Sequence, residues 1–264
     1  MWGLILPVAV HFLIGQVLSY GALWLLRDRN DKIYDSYMGM VMALTGLTGL
    51  LATILLLPMF VHDERCRRVG GLRRRKLPLF TDPWESILLI GTGAGLSQYL
   101  NIFMALISGL LPASDYSETM ELIERGQSLA AMIFFMGILA PVAEEVIFRW
   151  ILYLRLRDRL TVWPSVLISA ALFGIYHGDV LQGTYAGIMG IFLALIMEYS
   201  GSLTGSILIH AGANTWGILL PELVYGEMNG SEQIVLALSV FWLCCMTAAC
   251  YLIRNKRAGD GSLC

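Results

Sequence analysis

The sequence predicts an all-α, polytopic membrane helix bundle of about eight transmembrane helices, with both termini cytoplasmic. Three observations carry that reading. The 264 residues are 57% hydrophobic and 14% charged, and mean hydropathy is +0.68, well above a soluble domain's balance. The charges are clustered, leaving apolar runs near the ~20 residues a helix needs to cross hydrocarbon. The charged loops also alternate in sign along the chain.

Residues 2–26 form the first apolar run. No basic segment precedes it and no small-residue cleavage site is evident, so it reads as a retained helix rather than a signal peptide. His11 lies inside it, and a lone histidine in such a run reads as structural. A mixed-charge loop spans Asp28 to Asp35, and the second span runs from Tyr37 to Val61. The most basic loop follows, with Arg65, Arg67, Arg68, Arg73, Arg74, Arg75 and Lys76. Short and set between two spans, it reads as a topology determinant at anionic headgroups, not a nucleic-acid site.

The third span, Trp84 to Leu111, contains Gly91, Gly93 and Gly95, which allow close helix contact. An acidic segment from Pro112 to Gln127 suits an interfacial turn capped by Ser117. The fourth span, about Ser128 to Arg157, reaches ~45 Å at 1.5 Å per residue, so it must tilt or protrude. The fifth, Val162 to His177, opens on Trp163-Pro164, and the sixth, Val180 to Tyr199, carries Gly183, Gly187 and Gly190. Only Gly178 and Asp179 are left for the turn between them. The seventh runs from Leu203 to Leu220, and the eighth from Ile234 to Ile253.

With eight alternating spans, the basic segments 65–76, 155–159 and 254–257 fall on one side, and the acidic segments 115–124 and 222–232 on the other. The positive-inside rule then puts both termini in the cytoplasm. The whole chain, residues 1–264, reads as a single integral membrane domain without internal repeat, its chemistry concentrated in about 128–220. Cys66, Cys244, Cys245, Cys250 and Cys264 show neither CxxC nor Cys/His ligand spacing, and Cys264 does not form a CaaX terminus.

Few strong polar groups remain at depth: Glu144, Glu145, Arg149, His177, His210 and Asn214. Ionisable residues in a span cost ~2.5–3.5 kcal/mol on insertion scales and mark functional sites by default. Glu145 and Arg149 are four apart, so they share a helix face and can pair. Glu144 points about 100° away, toward a different partner. His210 and Asn214 are also four apart, with Ala211, Gly212 and Ala213 between them permitting close helix approach. His177 ends the fifth span, with Phe173 one turn earlier on the same face.

This set suits hydrolysis of an amide. A carboxylate near histidine can activate water as a general base. Histidine and asparagine donors can stabilise the oxyanion. Two histidines and a glutamate (Glu144, His177 and His210) are equally a ligand set for zinc or another divalent metal, so a metal-bound and a metal-free activated water both stay open. The HExxH signature is absent.

These residues resemble the motifs of the CPBP family of intramembrane proteases, the Abi group. It includes the type II CAAX prenyl endopeptidases and bacteriocin-processing or bacteriocin-immunity relatives. Glu-Glu-x-x-x-Arg matches Glu144, Glu145 and Arg149; Phe-x-x-x-His matches Phe173 and His177; His-x-x-x-Asn matches His210 and Asn214. The resemblance implies that Glu144 activates water with His177, that His210 and Asn214 steady the oxyanion or help ligate a metal, and that Glu145 pairs with Arg149. Phe173 would line the substrate pocket. The implied substrate is a hydrophobic peptide or membrane-anchored protein, met in the lipid bilayer of a bacterial plasma membrane. Two other classes compete: a non-catalytic immunity factor or scaffold, and an ion-coupled transporter, against which the lack of an internal repeat argues.

Overall fold

The structure, a computed structural model, describes residues 2–27, 33–71, 83–221, 235, 238–243, 245–247 and 249–250. Among these there is no strand, so the all-α class stands. The helices are α1 (Trp2–Leu26), α2 (Ile33–Val69), α3 (Pro83–Ile107), α4 (Tyr116–Glu124), α5 (Leu129–Arg157), α6 (Val162–Tyr176), α7 (Val180–Ser200) and α8 (Leu203–Pro221). A further apolar helical stretch covers Leu238–Thr247.

Among the described residues, five stretches are long and apolar enough to cross a membrane: Leu6–Leu26, Ser36–Val69, Pro83–Leu110, Leu129–Arg157 and Val180–Ser200. The protein is an integral membrane protein. Of the other expected spans, α6 has 15 residues, and α8 carries the polar His210 and Asn214. The loop segments 72–76, 222–232 and 254–257, Cys244, Cys264 and much of the eighth expected span lie outside the described residues.

Some boundaries move for identifiable reasons. α2 runs on to Val69 and takes Arg65, Arg67 and Arg68 into a helix, where a loop is expected. That extension is held by ion pairs to the end of α5. Arg155 Nε and Nη2 donate to the Asp63 carboxylate at 2.5 and 2.9 Å, and Arg67 Nε donates to Asp158 Oδ2 at 2.9 Å. The acidic segment does form a helix, but α4 starts at Tyr116, so Ser117 lies inside it and is not its cap. Ser114 Oγ instead accepts from the Tyr116 amide at 3.2 Å. Ser128 does cap α5, its Oγ accepting from Ala131 N at 3.2 Å. The tight break between α6 and α7 forms at the two available residues. Gly178 takes φ +74°, and Asp179 Oδ1 accepts from the Gln182 amide at 2.8 Å.

The chain divides into two compact units, Met1–Arg73 with Ala113–Leu160, and Arg74–Pro112 with Thr161–Cys264. In the first, α5 is packed by α1 and α2. Helices in lipid lack a hydrophobic drive to associate, so close backbone approach and buried polar contacts must do it. Gly46 and Gly49 of α2 supply the approach: a Cβ there would stand 2.6 Å from Phe135 Cδ1 and 2.7 Å from the Ala143 Cβ.

In the second unit, α3 lies against α8 and α6 against α7. A Cβ on Gly93 would overlap the Ile209 carbonyl, and one on Gly212 would overlap the Ile90 carbonyl. Gly91 and Gly95 turn elsewhere on α3, toward Trp242, Cys245 and Met246. Leu89, Leu96, Leu100, Met189, Leu193, Ile209, Ala213 and Ala249 form the buried apolar core. Buried Gln98 uses its whole amide. Nε2 donates to Val235 O (3.1 Å) and Ser239 Oγ (2.7 Å), and Oε1 accepts from Trp216 Nε1 (3.1 Å).

Candidate active site

The carboxylates sit in the first unit. α5 is not a uniform helix: two π-helical stretches, Ile133–Leu139 and Val146–Tyr153, flank a short α-helical segment, Ala140–Glu145. Such widened turns are frequent at functional sites. Pro141 falls early in the α segment, where its missing amide hydrogen costs little. Glu144 and Glu145 are the last two residues before the second widening.

Their environments differ. Glu145 is fully buried, with Oε2 3.3 Å from Nε of the equally buried Arg149, four residues on. The pairing expected from spacing is therefore present, in the form lipid tolerates. Glu144 is half-buried and faces another direction. Ala143, beside it, is pressed against α2 at Gly49. That contact restricts how the Glu144 backbone can shift.

The second unit holds the imidazoles. His177 caps α6, and its Nδ1 is 2.8 Å from the Phe173 carbonyl. A carbonyl can only accept, so Nδ1 carries the hydrogen. In the neutral ring Nε2 is then left with its lone pair, able to accept a proton or bind a metal. Phe173, 1% exposed, sets both histidine rings. Its ring lies edge-on to His177 at 4.9 Å and 90°, and to His210 at 5.8 Å and 89°. Phe173 fits because Gly190 of α7 lacks a side chain; a Cβ there would be 3.2 Å from Phe173 Cδ1. His210 is buried and Asn214, one turn along α8, is half-buried. The glycine contacts of α8 with α3 fix the backbone on either side of His210.

Residues 126–216 match the family described as Type II CAAX prenyl endopeptidase Rce1-like. The match takes in all seven motif residues, from Glu144 to Asn214. Over residues 126–216 the chain is thus similar to the CPBP family of intramembrane proteases. The chain is 28% identical over 122 residues to the Bacillus subtilis (strain 168) protein named "Putative membrane peptidase YdiL", covering 45% of this chain and 50% of that one. It is also 28% identical over 132 residues to an Escherichia coli "Uncharacterized 24.3 kDa protein", 48% of this chain and 61% of that one. The chain thus spans about half to three fifths of the length of the curated relatives it matches. No solved structure matches it.

Neither unit by itself gathers three His, Cys, Asp or Glu side chains that could hold a metal ion, among the described residues. The donor chemistry of Glu144, His177 and His210 suits a divalent metal.

Sequence reasoning missed the second-rank positions. Gly46 and Gly49 in TGLTGL carry the signal for them, two small residues three apart. The widened turns of α5 left no local signal in composition.

Proposed function

We propose that this protein is an intramembrane endopeptidase that hydrolyses a peptide bond in a hydrophobic peptide or membrane-anchored protein. The observation that carries the reading is the family match over residues 126–216, which encloses all three motifs. The different settings of the glutamates support it: Glu145 is fully buried against Arg149, and Glu144 is half-buried on the neighbouring face.

In this reading Glu144 takes a proton from the water that attacks the scissile carbonyl. The oxygen of the tetrahedral intermediate carries the negative charge, and hydrogens on His210 and Asn214 are its donors. His177, with Nδ1–H committed to the Phe173 carbonyl, orients the water through Nε2. On collapse the C–N bond breaks and Glu144 passes its proton to the leaving amine. Phe173 holds the two imidazoles apart and walls the pocket. If a divalent metal is used, Glu144, His177 and His210 would hold it, and it would supply Lewis acidity to the water.

The test is co-expression with candidate hydrophobic peptides, including a prenylated CaaX peptide, with cleavage read by mass spectrometry, with and without a chelator. Glu144→Ala is expected to abolish cleavage while the protein still accumulates in the membrane. Unchanged processing by that variant refutes the reading and returns the immunity or transporter alternatives. Loss of cleavage with chelator, restored by zinc, would assign the metal version.

A further inference from the structure

Helix α1 turns most of its surface outward, with Phe12, Leu13, Val17, Tyr20, Trp24 and Leu25 all exposed. Its inner stripe includes Pro7, His11, Ala22 and Leu26. His11 is only 4% exposed, and α1 contains no Asp, Glu, Lys or Arg. The cost of facing lipid is reason enough for a histidine to turn inward. Two further observations give it an address.

The first is register. Arg155 Nη1 donates to the Gly3 carbonyl, tying the first turn of α1 to the end of α5. Counting from that tie, His11 is 11 − 3 = 8 residues along α1, ~12 Å at 1.5 Å per residue, and Glu144 is 155 − 144 = 11 residues along α5, ~16 Å. The widened stretch Val146–Tyr153 lies within the second interval and shortens it. The two side chains therefore stand at similar depth in one unit, where α1 packs on that same stretch of α5. The second is charge. The Glu144 carboxylate acts electrostatically on both His11 and Arg149, and Arg149 also pairs with Glu145 at 3.3 Å.

We propose that His11 is a positioning residue for Glu144: its imidazole, delivered from α1, orients the carboxylate that acts as the base. This rests on the peptidase reading above, and adds to the three motifs a residue outside the matched stretch 126–216. It also gives α1 a part in the chemistry.

The experiment has two arms on the full-length protein. In the first, thermal unfolding in detergent is followed for wild type, His11→Phe, Glu144→Gln and the double variant. Phenylalanine fills the imidazole's space, so packing alone predicts additive shifts. Positioning predicts that the shifts fail to add by at least about 3 °C. In the second, a quenched fluorogenic farnesylated CaaX peptide and a single-span hydrophobic peptide serve as probes. His11→Phe is expected to lower kcat about 10–100-fold, the scale of one charge-assisted contact, with KM within about twofold. His11→Gln, which keeps an N–H, should recover much of the rate. Full activity in His11→Phe, with Glu144→Gln inactive, overturns this inference alone. Full activity in Glu144→Gln overturns the peptidase reading instead. If wild type cleaves neither probe, the thermal arm decides, and additive shifts reject the proposal.

Discussion

The buried pair Glu145–Arg149 gives a measurement that can be worked through from its geometry. Nε and Oε2 are 3.3 Å apart, and both side chains are fully buried. At an effective dielectric of ~20, two unit charges at that distance attract by about 5 kcal/mol. Burying each ion has already cost several kcal/mol, so the pair's net contribution is small. Removing one partner keeps one desolvation cost and loses the attraction. Arg149→Met and Glu145→Gln should therefore each destabilise by ~3–5 kcal/mol. Replacing both by apolar residues, Glu145→Leu with Arg149→Met, removes both costs together and should bring stability back to within about 2 kcal/mol of wild type. The assay is reversible unfolding in mixed micelles by increasing SDS fraction, followed by tryptophan fluorescence. The reasoning fails if Arg149→Met costs under about 1 kcal/mol, or if the double variant loses the sum of the singles. The double variant should also keep measurable peptidase activity if the pair only shapes the helix.

Other expectations follow from single contacts. Gly212→Val would drive a side chain into the Ile90 carbonyl; it should cost ~1–3 kcal/mol by overpacking and lower the cleavage rate by displacing His210, checked by unfolding and kinetics together. Gly49→Leu should act likewise through Ala143 on Glu144, whereas substitution at Gly109, where nothing lies within 4 Å, should leave activity near wild type. Trp216→Phe removes the donor to Gln98 Oε1 inside the second unit and should cost ~1–3 kcal/mol, read as a shifted unfolding midpoint. Nitrogen NMR on labelled histidine should find the neutral His177 ring protonated at Nδ1, as its contact with the Phe173 carbonyl requires.

The helical class was legible because lipid imposes it: long apolar runs must be helices, and charges in them must pair or work. The same constraint made Glu145–Arg149 readable from a four-residue spacing. The turn at Gly178-Asp179 was readable too, because a left-handed residue followed by a side-chain cap is local chemistry. The extension of α2 through Arg67 was not, since its partners, Asp158 and the Arg155–Asp63 pair, involve residues about ninety positions away in sequence. Nor was the place of His11. Burial alone is the ordinary fate of a histidine in a span; only the register set by Arg155 and Gly3 brings it level with Glu144.

The widened stretches either side of Ala140–Glu145 bear on how this helix tolerates change. A π-type turn accommodates a residue beyond the α repeat, so deleting one residue from Ile133–Leu139 leaves a sound helix. The residues upstream then keep nearly the facing they had, because the widened stretch relaxes to the α repeat and absorbs the loss, and Ala143 stays on Gly49. The helix thus carries a reserve of length beside Glu144, so it can lose a residue there without losing the aim of the carboxylate.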